Sequence, residues 1–581
     1  MTKKILIIVL LTILPFGLMA SDGGVAEAHQ DAIDANLLIP IVPDYYQNFA
    51  VSAANPHAVQ AGFDILKKGG SAVDAAIATQ MVLNVVEPQS SGIGGGGFMM
   101  FYDNEAGDVK SYDGRETAPK NVENDIFLDL KGEPIPFFDA VKGGHSVGTP
   151  GLLKMFAMAH DKYGELEWEE LFEPAIRIAE DGFGMSARLN SIASKVTYLR
   201  EFPRTKSLYI DGKDSVREVG SIIKNPELAA TFRIIAEKGV EAFYEGEIAE
   251  NIVSAVQNAE FNPSVMTLDD LKNYDAVERE NICGSYRKYK ICSFAPPSSG
   301  GITLLQMLGV LEEFELNKMS PKSAKSAHII SEASRLAFAD RNHYLADSDF
   351  VDVPIRSLLD EGYLKRRAEL IDENKAAENV QAGVFEEKLA RANDDTEKPS
   401  TTHISVVDAD GNAVSMTTSI EYAFGSALSV RGFLLNNEMT DFSFRPEIEG
   451  VKVANAIEGG KRPRSSMTPT LVFDENDNLY MVIGSPGGSR IIGYVLQTII
   501  GVLDWNMSMQ EAIDMPKIIH RGKFLELEEG TAQAYNEEAL KLLGHDVKVT
   551  ELNSGLHGMV IDIRGISGGA DKRREGIVMG E

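Results

Sequence analysis

Apolar positions recur at helical spacing from His57 to Leu66 and again from Ser71 to Val86. Lys67-Lys68-Gly69-Gly70 splits the two stretches: the Gly pair reads as a helix stop and Ser71 as the next N-cap. Glu87-Pro88 ends the second helix, and Gly92 to Gly97 leads into an apolar strand from Phe98 to Tyr102. From residue 150 to about 260 the pattern is mostly helical, including Pro226 to Lys238 with Asn225 as N-cap and Pro226 at the first helical position. Ser323 to Leu345 is a further long helical stretch. Residues 365 to 400 are polar, and 393–400 read as an exposed, flexible segment. The texture changes at Thr401. Thr402 to Asp408 alternates as a strand, Asp410-Gly411-Asn412 is a turn, and Ala413 to Ser419 returns. Thr470 to Phe473 and Leu479 to Ile483 form a second hairpin, followed by a helix from Ser489 to Leu503. Helices, then hairpins, then helices suggest layered sheets covered by helices.

The chain has 581 residues, 44% hydrophobic and 24% charged, which is a soluble globular profile but does not decide between several cores and one large sandwich. The net charge of −30 excludes nucleic acid and anionic lipid as general partners. Lys3 and Lys4, the apolar run from Ile5 to Met19, and Ala20 before Ser21 read as a signal peptide over residues 1–20. The run is short for a spanning helix, which needs about 20 apolar residues. The expected location is therefore periplasmic or secreted. If Arg287-Lys288 form a two-residue turn, Cys283 and Cys292 lie opposite each other, and a disulfide is open to them in an oxidising compartment. No His lies near enough in sequence to complete a metal site there, and no metal or other cofactor is expected.

Two motif matches fail on context. Gly92 to Gly97 satisfies G-x-G-x-x-G but follows a helix and opens a strand, the reverse of a dinucleotide site. Gly144-His145-Ser146-Val147-Gly148 satisfies the nucleophile-elbow pattern but lies between Lys142-Gly143 and Thr149-Pro150, in a loop.

Other segments combine more specifically. Thr401 to Asp408 opens a strand; Asn436-Asn437-Glu438-Met439-Thr440-Asp441-Phe442, Arg462-Pro463-Arg464-Ser465-Ser466-Met467 and Gly484-Ser485-Pro486-Gly487-Gly488-Ser489-Arg490 follow in order. With Arg115-Glu116-Thr117-Ala118-Pro119 and Pro296-Pro297-Ser298-Ser299-Gly300-Gly301, they resemble the γ-glutamyltranspeptidase (γ-glutamyltransferase/glutathione hydrolase) family, from about Ala50 to Asp571. The resemblance implies an α+β fold, a four-layer αββα sandwich of the N-terminal-nucleophile hydrolase type. It implies one precursor that cuts itself between Ser400 and Thr401 into a large subunit (21–400) and a small catalytic subunit (401–581). These stay together as a heterodimer. A threonine at a chain terminus can use its own α-amine, whose ordinary pKa is about 7.7–8.0, as general base, so no histidine is needed. His403 is expected to be a packed or hydrogen-bonded strand residue.

By the same resemblance, Ser419 hydrogen-bonds the nucleophile, where the family usually has Thr, and Gly487 and Gly488 supply the oxyanion hole. Arg115, with Ser465 and Ser466, would hold the α-carboxylate of a γ-glutamyl group, and Glu438 and Asp441 its α-ammonium. Two departures stand out. Glu421 replaces the family's Asn beside the ammonium, so three carboxylates would share one cation. The stretch from Asp441 to Lys461 is shorter than in many members, where it carries a lid with an aromatic residue; Glu447 to Gly460 has no Tyr or Trp. An uncovered site favours hydrolysis over transfer. The expected substrates are glutathione and other γ-glutamyl compounds, with water or an amino acid or peptide as acceptor. Glu421 could instead point away or recognise a different acyl group, which keeps open the alternatives within the family, a glutaryl/cephalosporin acylase or a poly-γ-glutamate-cleaving enzyme. An uncleaved extracytoplasmic binding protein is the alternative of another class.

Overall fold

The strand pair that follows Thr401 becomes the centre of a large sheet, because alternate residues of each strand are apolar on the face that helices cover. The computed structural model describes residues 44–385 and 400–581. The expected signal peptide, and residues 393–399 of the expected exposed segment, lie outside the described residues.

The strands of the two main sheets are, in chain order, β1 (Ala50–Ala53), β2 (Gly96–Asp103), β3 (Asp108–Asp113), β4 (Val277–Arg279), β5 (Ile282–Tyr286), β6 (Tyr289–Ser293), β7 (Thr402–Val407), β8 (Ala413–Ser419), β9 (Thr470–Phe473), β10 (Leu479–Gly484), β11 (His557–Asp562), β12 (Gly565–Ala570) and β13 (Ile577–Gly580). One sheet has the order β13-β1-β7-β8-β2-β3-β4 and the other β12-β11-β10-β9-β6-β5. Every pairing in both is antiparallel. The sheets face each other through contacts of β7 and β8 with β10, and of β7 with β11.

Helices Pro56–Lys67 and Ala72–Val86 cover the first sheet on its other side. Helices Gly300–Leu311, Ile491–Leu503 and Met509–Asp514 cover the second. The period-two alternation assigns the faces. Ile404, Val406, Val414 and Met416 join the core beneath the first helix pair, while Val407, Ala413, Phe98 and Met100 join the core shared with the second sheet.

Most predicted elements fall within a residue or two of those observed. Helix Pro226–Lys238 carries Asn225 as its N-cap, and Ala324–Tyr344 carries Ser323. Gly144 to Gly148 lies in a loop, with Ser146 Oγ donating to the carbonyls of Val141 and Gly143. The predicted start of the helix at Ser489 moves to Ile491, because Gly488–Arg490 forms a 3₁₀ turn first. Arg287 and Lys288 form the turn between β5 and β6, Cys283 pairs with Cys292 in register, and their sulfurs are bonded. Among the described residues no helix is long and apolar enough to cross a membrane.

Ser71 and Asp74 form a reciprocal capping box at the head of Ala72–Val86. The same Asp74 oxygen accepts from the backbone N–H groups of Ser71, Glu165 and Leu166 at 3.0, 2.9 and 3.1 Å. One carboxylate thus ties the helix to the loop that follows Leu152–Tyr163. Asp74→Ala is expected to cost about 2–3 kcal/mol, from a lost cap and stranded donors. Thermal unfolding of the purified chain checks this: the midpoint falls clearly in Asp74→Ala and much less in Asp74→Asn, whose amide oxygen still accepts.

Candidate active site

The register of β7 and β8 brings the candidate nucleophile and its neighbour together. Thr402 pairs with Thr418, so Thr401 and Ser419 flank that pair on the face that also carries His403, Ser405, Ser415 and Thr417. Thr401 Oγ1 lies 3.2 Å from Ser419 Oγ, both buried. The amide of Glu421 donates to Ser419 Oγ at 2.8 Å, which fixes that hydroxyl in place.

Thr401 has φ of +81°. A β-branched residue is a true outlier there, at a cost of order 1–3 kcal/mol. The bond on its N-terminal side is Ser400–Thr401, and Ser400 Oγ donates to the Gln89 carbonyl at 3.1 Å. Left-handed backbone also recurs just beyond Ser419, at Glu421, Phe424 and Ala427.

His403 is not placed for chemistry. Its Nδ1 is 2.8 Å from Thr417 Oγ1 and its Nε2 3.1 Å from Ser405 Oγ. Burial, with His557 adding to it, holds its pKa well below the ordinary imidazole value, so it is neutral.

A small cavity of about 20 Å³ is lined by Arg115, Thr401, Ser419, Glu421, Glu438, Asp441, Ser465, Ser466, Met467, Gly488 and Ile491. Nearly all the site residues expected from sequence therefore converge on one space, although they are drawn from positions 115 to 488. Gly487 adjoins it: Gly487 and Gly488 have φ of +138° and +59°, and a Cβ at Gly487 would meet the Tyr494 ring at 2.8 Å. Only glycine fits that turn between β10 and the following helix. Larger grooves elsewhere, such as one of about 760 Å³ lined by Asn121 to Leu130 and Val265, hold none of the expected residues.

Arg115 is fully buried and bonded on every side. Its guanidinium pairs with Glu438, donates to Asp441 Oδ2 at 2.6 Å, and reaches the carbonyls of Pro463 and Arg464 at 3.1 Å each. Burial opposes its charge, but Glu438, Asp441 and Glu116 outweigh it and raise the pKa above the ordinary value. Glu421 accepts from Asn437 Nδ2. Ser466 Oγ accepts from Arg341 at 2.6 Å, and Ser465 Oγ accepts from the Met467 amide at 3.1 Å. The stretch from Asp441 to Lys461 folds into a two-stranded hairpin, Glu447–Ile448 with Val451–Lys452, whose strands are largely exposed. Asn455 ties its base to the Asp441 carbonyl and the Arg464 amide.

Sequence reasoning missed several participants. Met467 and Ile491 line the cavity as plain core residues would. Arg341 lies inside a helix with no motif around it, and Arg574 Nη1 donates to the Thr401 carbonyl at 2.9 Å from almost the end of the chain. Neither position carries a signal that a single sequence can display.

Facing antiparallel sheets covered by helices are the architecture of the N-terminal-nucleophile hydrolase fold. Cephalosporin acylase from Bacillus halodurans has a solved structure similar to this one at 28% identity and TM-score 0.80, covering 93% of this chain and 97% of that one. The family model for gamma-glutamyltranspeptidase matches residues 58–581, and the chain belongs to that family. The glutathione hydrolase proenzyme of Bacillus subtilis (strain 168) is 41% identical over 480 residues, 81% of this chain and 80% of that protein. The proenzyme of the same description from Escherichia coli (strain K12) is 38% identical over 543 residues, 90% of each.

Ser419→Ala removes the hydroxyl beside Thr401 and the acceptor of the Glu421 amide. Turnover is expected to slow by roughly 10- to 100-fold, about 1.4–2.7 kcal/mol, with little change in KM. Ser419→Thr keeps both roles and stays near wild type. Steady-state kinetics on the two variants check the contrast.

Proposed function

We propose that the chain is a self-processing γ-glutamyltransferase/glutathione hydrolase in which Thr401 first cuts its own precursor and then carries the acyl group. The observation that carries this reading is Thr401 itself: strained at Ser400–Thr401, beside Ser419, and sharing one cavity with Arg115, Glu421, Glu438, Asp441, Ser465 and Ser466. In processing, Thr401 Oγ attacks the Ser400 carbonyl carbon, the C–N bond breaks, and the nitrogen takes up the hydroxyl proton. Water then hydrolyses the ester, leaving a Ser400 carboxylate and a free Thr401 α-amine. The pieces 21–400 and 401–581 stay together as a heterodimer, because β7 and β8 of one are paired with β1 and β2 of the other. Together they form the αββα sandwich.

In turnover the α-amine takes the Thr401 hydroxyl proton while Oγ attacks the γ-amide carbonyl. The N–H groups of Gly487 and Gly488 donate to the oxyanion, and each such donor is worth about 3–4 kcal/mol. The leaving amine takes the proton and a γ-glutamyl ester remains. Water or an amino acid attacks it and returns the proton to Oγ.

The Arg115 ion pairs suggest how the acyl group is selected. A γ-glutamyl group brings one α-carboxylate and one α-ammonium. The ammonium replaces Arg115 between Glu438 and Asp441, and the guanidinium turns to the carboxylate, so every buried charge keeps a partner. A glutaryl group has no ammonium and would leave those carboxylates uncompensated. This favours the γ-glutamyl reading over an acylase, and Glu421 adds to the preference for a cation. The exposed hairpin in place of a lid supports hydrolysis over transfer. The N-terminal 20 residues serve as an export signal in this reading, giving a periplasmic or secreted enzyme.

A denaturing gel of purified protein is expected to show two bands, the smaller beginning at Thr401, and one band in Thr401→Ala. A single uncut band in wild type would end the self-processing reading. With the cut enzyme, γ-glutamyl-p-nitroanilide is expected to turn over faster than glutaryl-p-nitroanilide, and Glu421→Gln to narrow that ratio by about tenfold, or 1.4 kcal/mol. Faster turnover of the glutaryl compound would favour the acylase alternative.

A further inference from the structure

Arg574 reaches the backbone of Thr401 and is not among the residues that line the cavity. Its Nη1 donates to the Thr401 carbonyl at 2.9 Å. Its side chain passes directly over Gly555, where an added Cβ would lie 2.5 Å from both Cδ and Nε of Arg574, and beside Pro486, one residue before the Gly487-Gly488 turn. Glu87, at the end of the Ala72–Val86 helix, is buried, and burial pushes its carboxyl above the usual carboxylate range. Arg188 Nε is 3.7 Å from Glu87 Oε1, and the Arg188 amide donates to Glu575 at 3.1 Å. Two residues after Glu87, the Gln89 carbonyl accepts from Ser400 Oγ.

The Ser400–Thr401 bond is therefore gripped on both sides. Gln89 holds the residue before it and Arg574 the residue after it. A left-handed threonine persists only where its surroundings over-determine it. We infer that Arg574 is a positioning residue that fixes Thr401 for self-cleavage and afterwards sets the basicity of its α-amine. This rests on the proposed reading of Thr401 as cutter and nucleophile, but not on which acyl group is used.

The second role follows from distance. The guanidinium bonds the carbonyl of Thr401, so it lies within roughly 6 Å of the nitrogen of the same residue. A cation that close disfavours the ammonium form and lowers its pKa. The charged and titratable groups facing Arg574 are Glu87, Arg188, Tyr494, His557, Asp571 and Glu575. Burial, then Arg188, lowers the Arg574 pKa to about 9, which leaves it cationic at neutral pH.

The test uses the full chain and follows self-cleavage by denaturing gel, then kcat/KM against pH with whichever anilide wild type turns over. Arg574→Gln is expected to slow self-cleavage about tenfold or more. In the cut fraction, the acid limb of the pH profile should move up by about 0.5–1 pH unit, since the amine loses a neighbouring cation. Arg574→Lys, which keeps the charge and a donor, should restore most of both. Uncut wild type would overturn the Thr401 reading itself. Cut wild type, with Arg574→Gln cutting at the same rate on an unshifted limb, would overturn this inference alone. Should Arg574→Gln fail to fold, Arg574→Met is read the same two ways: cutting at the wild-type rate on an unshifted limb refutes it.

Discussion

A β-branched residue held at positive φ, immediately before the central strand of the larger sheet, is the constraint on which the site depends. Such a conformation costs of order 1–3 kcal/mol and does not persist on local preference. Here β7 fixes the chain from Thr402 onward by pairing on both edges, with β1 and with β8. Arg574 holds the Thr401 carbonyl and Gln89 holds Ser400. The same pairing with β8 delivers Ser419, so the strain and the hydroxyl contact have one structural cause. Moving the register by one residue would turn Thr401 towards the helices and lose both.

The chain is strongly acidic overall, yet its site is organised around buried guanidinium groups. Arg115 pairs with Glu438 and Asp441, Arg341 holds Ser466, and Arg574 holds Thr401. Removing one partner from a buried pair is costly, whereas exchanging partners need not be. A ligand that carries both signs can trade into such a network without leaving a buried charge alone. The net charge of −30 therefore says nothing against an anionic ligand group, because Arg115 places a cation among the carboxylates of the cavity.

The fold was largely legible in the sequence where local rules act. The N-caps Ser71, Asn225 and Ser323, the Asp410-Gly411-Asn412 turn and the alternation through Thr402–Val407 stand where the pattern places them. The residues of the cavity were legible only as a family resemblance, because Arg115, Glu438 and Ser465 look locally like turn or surface positions. Arg341 and Arg574 were not legible at all. Each makes its contact across more than a hundred residues of sequence, and only the fold brings those segments together. The mutual pairing of Arg115 with Glu438 and Asp441 was also invisible, since resemblance assigns all three to a ligand and not to one another.

Strain placed at one bond gives the proposed cut a direction. The φ of Thr401 is defined by the carbonyl carbon of Ser400, so breaking that bond removes the constraint, while breaking a neighbouring bond would leave it. The released energy, of order 1–3 kcal/mol, favours this bond and opposes religation. What must not relax is the hydroxyl, since the same oxygen is needed again. The contacts that hold it, Ser419 on the side chain and Arg574 on the carbonyl, both lie on the C-terminal side of the cut and are untouched by it. The contact from Ser400 to Gln89 lies wholly within the 21–400 piece, so it keeps Ser400 anchored there once the bond to Thr401 is cut. Dividing the anchors in this way would let one threonine serve both proposed reactions without being repositioned between them.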